Sequence, residues 1–197
     1  MCGSGTFVVE AACRARRIAP GKNVRLGRWR GHDHERFRQL KEEALAGEDH
    51  ESPLQIFARD RDPEAVALCR ESLELAGVHG VDLACEDFSD LEPPAGTTGH
   101  MVINPPYGER LGERGELLRL YPLIGDVLKQ RFGGWQAHVL ASDKHLGGRV
   151  GLKAKRKSAV FNGSLDCLFC SYDVRAATGD GKPRWRKPRE EATMFGN

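Results

Sequence analysis

The sequence has no apolar run approaching the ~18 residues of a membrane-spanning helix, and no signal-peptide pattern precedes its first motif. Its charges nearly cancel, leaving a formal net charge of +2, so overall charge does not indicate a nucleic-acid partner. These absences argue against a membrane protein and against a uniformly basic one. We expect a cytosolic protein that does not enter a membrane.

Zinc-binding patterns are missing as well. Cys167 and Cys170 form a Cys-x-x-Cys pair, but no second Cys/His pair stands at zinc-finger spacing. The residues around the pair alternate as in a β-strand. We therefore predict that these are buried strand cysteines in a reduced protein, and that the chain holds no metal site.

What remains is the composition of an ordinary globular protein, with 40% hydrophobic and 29% charged residues among 197. This length fits one domain, or one domain with a tail. From Ala176 onward, Gly, Pro, Lys and Arg dominate. We predict a folded domain over residues 1–175 and a basic, flexible tail over residues 176–197.

Strand and helix patterns alternate along the chain. Short apolar runs predict strands at 54–60, 81–87, 100–104 and 136–142, and helical patterns occur at 7–19, 33–47, 62–78 and 116–134. This alternation predicts an α/β fold with a mostly parallel sheet and helices on both faces. The Asn-Gly pair in "VFNGSLDC" predicts a C-terminal antiparallel hairpin at the edge of that sheet.

Polar or backbone-exposing residues follow the predicted strands. They are the glycine turn "MCGSGT", Asp60, Asp87, and the run Asn104, Pro105, Pro106 and Tyr107. Because ligands of open parallel sheets bind beyond the carboxyl ends of the strands, we expect these residues to converge on one rim. The glycine turn would normally follow a strand of its own, and we expect this first strand to be absent from the chain.

The glycine turn lacks the marks of two common nucleotide sites. Thr6 stands where a phosphate-binding loop has Lys, and a plain dinucleotide site would show a third glycine with an acid about 20 residues later. A ligand without phosphate fits better. Gly3 and Gly5 allow close approach of an anionic tail to a helix N-terminus, and Asp60 suits the vicinal hydroxyls of a ribose.

Asp87 and Phe88 complete this predicted adenosine site. The Asp87 carboxylate can accept a hydrogen bond from an adenine amino group, and the Phe88 ring can pack on the face of the base. An adenosine with an anionic, non-phosphate tail therefore fits the glycine turn and both acids.

The run Asn104-Pro105-Pro106-Tyr107 has its own chemical interpretation. Asn104 supplies a side-chain carbonyl, and Pro106 forces an extended conformation on Pro105, which fixes the main-chain carbonyl of that residue. Two acceptors suit an amino group with two N–H donors, and Tyr107 offers a ring on which a flipped base can stack. Positioning would then aim the amine's lone pair at an electrophile without an acid–base residue. The alternative is a rigid Pro-Pro turn that only ends a strand.

These stretches together resemble the class I S-adenosylmethionine-dependent methyltransferases, and most closely the bacterial 23S rRNA guanine-N2 methyltransferases that carry a THUMP domain. The matching stretches, from residue 1 to about 174, are "MCGSGTFVVEAA", "WRGHDHERF", "RDRDPEAV", "LAGV", "NPPYGERLG", "LYPLIGDVLK" and "FNGSLDCLF". The resemblance implies a Rossmann-like fold, S-adenosyl-L-methionine as cofactor, and 23S rRNA as partner. It implies a methyltransferase catalytic domain over residues 1–175, incomplete at its N-terminus, because the family places a strand, an Asp-Pro pair and the THUMP domain before the glycine turn.

The resemblance also implies the roles of individual residues. The cofactor-binding set is Cys2, Gly3, Ser4, Gly5, Thr6, Asp60, Asp87, Phe88 and Asn104, and the catalytic motif is Asn104, Pro105, Pro106 and Tyr107. Two alternatives stay open. The same Asn-Pro-Pro-Tyr run occurs in adenine-N6 and glutamine-N5 methyltransferases. A catalytically inactive RNA-binding fragment would instead rely on the basic stretches "KAKRK" and "KPRWRKPR".

Overall fold

The computed structural model describes residues 1–21, 30–107, 113–142 and 144–175, so the predicted basic tail lies outside the described residues. The chain divides into two compact units, Met1–Leu91 and Glu92–Asn197. Among the described helices, none has the length and apolarity to span a membrane.

Outside residues 22–29, which are not described, the first unit contains a two-stranded parallel sheet and three helices. Its elements are α1 (Thr6–Ala15), α2 (His34–Ala46), β1 (Phe57–Asp60), α3 (Pro63–Leu75), β2 (Asp82–Cys85) and a short 3₁₀ turn (Phe88–Asp90). Strands β1 and β2 run parallel in a register that pairs Asp60 with Cys85. The carboxyl ends of both strands therefore lie at the same edge, which places Asp60 and the segment after β2 side by side.

Helix α3 lies within the stretch predicted as helical, residues 62–78, and ends three residues before that stretch does. The Asp62 side chain accepts a 2.9 Å hydrogen bond from the Glu64 N–H, and Pro63 occupies the first helical position, where its missing donor costs nothing. Gly77, with φ +68°, follows the last turn. The helix packs its apolar face against α1 and β1. The buried residues of this core are Val8, Ala12, Ile18, Ala58, Cys69, Leu73 and Val78.

In the part of it that the structure describes, the second unit contains a four-stranded mixed sheet and two helices. Its elements are β3 (His100–Ile103), α4 (Glu113–Arg131), β4 (Gln136–Ala141), α5 (Lys144–Arg149), β5 (Arg156–Asn162) and β6 (Leu165–Asp173). The strand order is β3-β4-β6-β5. Strand β3 runs parallel to β4, and β6 runs antiparallel to both β4 and β5. The predicted antiparallel hairpin at the sheet edge is thereby confirmed.

Strand directions bring the hairpin tip to the edge where β3 ends. Strand β6 runs antiparallel to both β4 and β5, so β4 and β5 run in the same direction. Strand β3 is parallel to β4, and the carboxyl ends of β3, β4 and β5 therefore share one edge of the sheet. Asn162 is the last residue of β5 and pairs with Leu165. Gly163, with φ +60°, and Ser164 then form the connecting loop. The hairpin tip therefore belongs to the same rim as the residues that follow β3.

Of the two described helices of the second unit, one was predicted from the sequence and the other was not. Helix α4 continues through Pro122, as predicted, and buries Tyr121, Ile124 and Leu128. Helix α5 was not predicted, because its sequence "KHLGGR" contains two poor helix formers in six residues. Tertiary contact stabilises it instead: the Tyr172 hydroxyl of β6 donates to the Gly147 carbonyl of α5 at 3.0 Å.

The strand cysteines lie where the sequence predicts. Cys167 and Cys170 belong to β6, are 5% and 0% exposed, and are free thiols. Because they are three positions apart in one strand, they face opposite sides of the sheet, and both sides are buried there. Their interpretation as buried strand cysteines is confirmed.

Candidate functional site

The glycine turn of the first unit is fixed to the end of β1 by backbone hydrogen bonds. The Cys2 N–H donates to the Arg59 carbonyl at 2.9 Å, and the Gly3 N–H donates to Oδ2 of Asp60 at 2.9 Å. The Gly5 N–H closes the turn by donating to the Cys2 carbonyl at 3.0 Å. The predicted pairing of the glycine turn with the acid at the end of β1 is therefore present in the structure.

The two glycines of this turn have different surroundings. Gly5 precedes α1 with φ +89°, and a Cβ there would lie 2.5 Å from the Sγ of the buried Cys69 on α3. Gly3 also has a positive φ, +55°, but a Cβ there would meet no heavy atom within 4 Å. Gly5 is therefore required by packing inside the protein, whereas Gly3 borders open space that a ligand can enter.

Ser4 and Thr6 flank Gly5 and are exposed. Thr6 is the first residue of α1, and the first turn of a helix carries backbone N–H groups without intrahelical acceptors. Because Gly5 at the cap position has no side chain to accept from them, these groups can bind an anion.

Asp60 is ionised and already holds part of the backbone. Burial raises the pKa of its carboxyl, but hydrogen bonds from the N–H groups of Gly3 and Asp62 outweigh that effect and keep the pKa below its ordinary value. Its side chain is 14% exposed. Since each carboxylate oxygen accepts one of these bonds and has a second lone pair, both can still accept a hydroxyl donor.

Asp87 follows β2 and caps the 3₁₀ turn. Its Oδ1 accepts a 2.8 Å hydrogen bond from the Ser89 N–H. Burial raises the pKa of this carboxyl, yet the bonds from Ser89 lower it below its ordinary value overall. The parallel register of β1 and β2 places Asp87 at the same edge as Asp60. The hydrogen bonds from Ser89 use part of the acceptor capacity of Asp87, and the carboxylate keeps lone pairs for a further donor.

The Phe88 side chain is only 6% exposed. Its predicted contact with the face of an adenine stays a prediction. Asp87 fixes the turn in which Phe88 is the first residue, and the ring is directed into the interior. The sequence could not show this, since an aromatic beside a strand end fits a core position and a stacking position equally well.

The Asn-Pro-Pro-Tyr run of the second unit begins directly after β3. Pro105 is under 2% exposed, Pro106 is exposed, and Asn104 is partly buried. The Tyr107 hydroxyl donates a 2.6 Å hydrogen bond to Oδ1 of Asn104. This bond identifies the amide oxygen as the atom held by tyrosine. An amide oxygen accepts two hydrogen bonds, so Oδ1 retains the capacity for one more donor.

Asn162 is a member of this cluster that the sequence did not reveal. Its Nδ2 donates a 2.6 Å hydrogen bond to the Tyr107 hydroxyl, across 55 positions of the chain. The Asn-Gly pair was interpreted only as a hairpin signal. The direction of β5 is the signal that could have found it, because a strand parallel to β3 must end at the same edge of the sheet.

Tyr107 remains protonated at neutral pH. Burial raises the pKa of its hydroxyl, and the hydrogen bond from Asn162 offsets only part of that effect. A neutral phenol has one proton to donate, and in this structure that proton is donated to Asn104.

Within the described ranges, no group of three or more His, Cys, Asp or Glu side chains could hold a metal ion.

Known proteins resemble the chain in sequence. Residues 1–171 match the family described as UPF0020: RMKL-like, methyltransferase domain. The chain is 41% identical over 182 residues to "Ribosomal RNA large subunit methyltransferase K/L" of Shewanella sp. (strain MR-4), and the match covers 89% of this chain. It covers 25% of that relative, so the chain spans about a quarter of the curated protein that it matches.

Solved structures resemble the chain in fold. A possible methylase from Clostridium difficile 630 is 30% identical with a TM-score of 0.81, and the match covers 88% of this chain and 46% of that one. The structure of SMU.472 complexed with SAH is 29% identical with a TM-score of 0.78, covering 89% and 47%. These similarities confirm the predicted Rossmann-like α/β fold.

Replacement of Gly5 by Ala should destabilise the protein more than the same change at Gly77. Both positions have positive φ, so each alanine costs about 1–2 kcal/mol of backbone strain. Only at Gly5 does the new methyl group overlap a buried sulfur, which adds about 1–3 kcal/mol. Equilibrium urea unfolding measures the difference, and equal losses at the two positions would contradict the packing argument.

Asp60 should contribute stability that depends on pH. Because its folded-state pKa is lowered, the contribution is present above the ordinary pKa of about 4 and is lost as the pH falls through the folded value. Asp60→Asn should therefore unfold at lower urea concentration than wild type at pH 7. The gap should narrow as the pH is lowered below about 4. A gap that stays constant down to acid pH would show that the carboxylate charge plays no part.

Proposed function

Because the chain belongs to the RMKL-like methyltransferase domain family, we propose that it transfers a methyl group from S-adenosyl-L-methionine to the exocyclic N2 amine of a guanine in 23S rRNA. The curated relative is named for ribosomal RNA of the large subunit, and a solved relative is complexed with SAH. The observation that carries the proposal is the Tyr107–Asn104 hydrogen bond at the end of β3, which holds an amide oxygen as an acceptor.

The first unit supports the cofactor. When bound, S-adenosyl-L-methionine supplies an electrophilic methyl group. Cys2, Gly3, Ser4, Gly5 and Thr6 would hold its methionine part, since Gly3 borders open space and the first turn of α1 offers N–H groups to a carboxylate.

The two acids of the first unit suit the adenosine part. Asp60 would accept the ribose hydroxyls with its remaining lone pairs, and Asp87 would accept the adenine amine. Phe88 would contribute through its backbone, because its ring is buried.

The second unit supports the methyl acceptor. Oδ1 of Asn104 and the main-chain carbonyl of Pro105 would accept the two hydrogens of the guanine amine. Holding both hydrogens orients the nitrogen lone pair for attack on an electrophilic methyl group. The Tyr107 ring, anchored through its hydroxyl, would stack on the base. The acceleration comes from preorganised acceptors and from positioning, so no general base is required.

The partner and the domain limits are part of the same proposal. Lys153, Lys155, Arg156 and Lys157 are exposed at the start of β5, where they can contact phosphates of RNA. Lys155 also pairs with Asp173 at 2.9 Å, so the cluster is not wholly uncompensated. We propose that residues 1–175 form the catalytic domain, that residues 176–197 are a basic tail, and that the protein acts in the cytoplasm on ribosomal RNA.

The affinity for S-adenosyl-L-methionine should fall when Gly3 gains a side chain. Gly3→Ala places a methyl group in the open space beside the turn, so calorimetric titration should show S-adenosyl-L-methionine binding weakened by about tenfold or more. Gly77→Ala is the matched control, since it has the same backbone strain and also borders open space. Equal affinity of both variants would remove Gly3 from the cofactor site.

The methyl group that the protein transfers from a radiolabelled cofactor should be found on guanine. With 23S rRNA that lacks the modification and a radiolabelled cofactor, nucleoside mass analysis should find N2-methylguanosine. Asn104→Ala should reduce kcat by about 100-fold or more, while cofactor affinity changes less than about threefold, because Asn104 is one of several predicted cofactor contacts but supplies the side-chain acceptor for the amine. Label on adenine would shift the assignment to the adenine-N6 enzymes. RNA binding without cofactor binding would support the inactive RNA-binding fragment.

A further inference from the structure

We propose that Asn162 is a positioning residue for methyl transfer, which acts by directing the Tyr107 hydroxyl proton onto Oδ1 of Asn104. The inference rests on the proposed function of the Asn-Pro-Pro-Tyr run. It starts from a relay of two hydrogen bonds, from Nδ2 of Asn162 to the Tyr107 hydroxyl and from that hydroxyl to Oδ1 of Asn104, each 2.6 Å long.

The direction of the relay follows from the chemistry of its groups. A neutral phenol has one proton and two acceptor lone pairs, whereas the NH₂ of an asparagine can only donate. With the NH₂ of Asn162 facing Tyr107, the hydroxyl must accept at that side and direct its proton elsewhere. The acceptor at the other side is Oδ1 of Asn104. Asn162 therefore determines that the amide oxygen of Asn104, and not its NH₂, faces Tyr107.

The relay ties together parts of the sheet that are far apart. Strands β3 and β5 are at opposite edges of the four-stranded sheet, which at ~4.8 Å per strand separates them by roughly 14 Å. Asn104 follows one edge strand and Asn162 ends the other, and the Tyr107 side chain bridges between them. The hairpin tip thereby becomes part of the acceptor site rather than only a turn.

The energetics separate this role from a structural one. Asn162 is exposed, and a hydrogen bond at the surface contributes little to folding. Its backbone pairing with Leu165 does not depend on the side chain. A substitution at Asn162 should therefore leave the fold intact and act on the orientation of Tyr107 and Asn104.

Asn162→Asp is the sharpest test, because it preserves shape and reverses the polarity of the relay. The new carboxylate would accept the Tyr107 proton, and Asn104 would lose its donor. We expect kcat to fall by about tenfold or more, with cofactor affinity and urea stability near wild type. A protonated carboxyl can donate again, so the ratio of variant to wild-type kcat should rise as the pH falls toward the carboxyl pKa.

Two further variants test whether the loss of kcat in Asn162→Asp depends on the Tyr107 hydroxyl. In a double-mutant cycle with Tyr107→Phe, Asn162→Asp should cost nothing more, because the relay has already been removed. Ser164→Ala, exposed in the loop of the same hairpin, should retain wild-type kcat. Unchanged kcat in Asn162→Asp, or an equal loss in the Tyr107→Phe background, would overturn the proposal.

A spectroscopic readout separates this inference from the proposed function. The chain has three tyrosines, so tyrosine labelled with ¹³C at Cζ gives few resonances, and Tyr107→Phe identifies the one that matters. Asn162→Asp should shift that resonance and raise the pKa at which it titrates, whether or not the wild-type protein methylates rRNA. If the shift occurs but wild type transfers no methyl group, the relay stands and the proposed function fails. An unshifted resonance would show that Asn162 does not hold Tyr107.

Discussion

The hydrogen bond from Tyr107 to Oδ1 of Asn104 is the interaction on which the proposed chemistry depends. An asparagine side chain can present either an acceptor or a donor, and a rotation of 180° about its last bond exchanges the two. The 2.6 Å bond removes that ambiguity, because the phenol proton selects the oxygen. The ordinary pKa of a tyrosine already lies above the neutral range, and burial raises the pKa of Tyr107 further, so this proton stays in place there.

The Asp60 carboxylate at the end of β1 also accepts hydrogen bonds that hold the surrounding backbone. The Asp60 carboxylate holds the glycine turn through the Gly3 N–H, and the bond to Asp62 holds the start of α3. Two backbone donors lower its pKa against the effect of burial, so the charge that organises the turn is also available to a ligand. The structural role of Asp60 leaves room for the proposed binding role, because a carboxylate has more lone pairs than the protein uses.

The sequence predicts those features that depend on neighbouring residues. The Asp62-Pro63 cap, the glycine turn before α1 and the hairpin around Gly163 are all set by local backbone preferences. Alternation of strands and helices then places the acids and the Asn-Pro-Pro-Tyr run at strand ends.

Features made by distant residues were not predictable in the same way. Helix α5 is stabilised by Tyr172 against its own poor propensity, and Phe88 turns inward. Asn162 meets Tyr107 across 55 positions of the chain. Each depends on tertiary packing, which no short window of sequence contains.

The geometry of the acceptor site also limits what this motif can specify. An amide oxygen and a proline carbonyl recognise two N–H donors on one planar nitrogen, and guanine, adenine and glutamine all offer that group. Under the proposed function, the motif would select the kind of atom that is methylated and would leave the choice of base to groups that contact its remaining edge. A relay that fixes Oδ1 of Asn104 serves any of these substrates equally. For that reason the assignment to guanine depends on the family and on the label experiment, and the relay is tested independently of it.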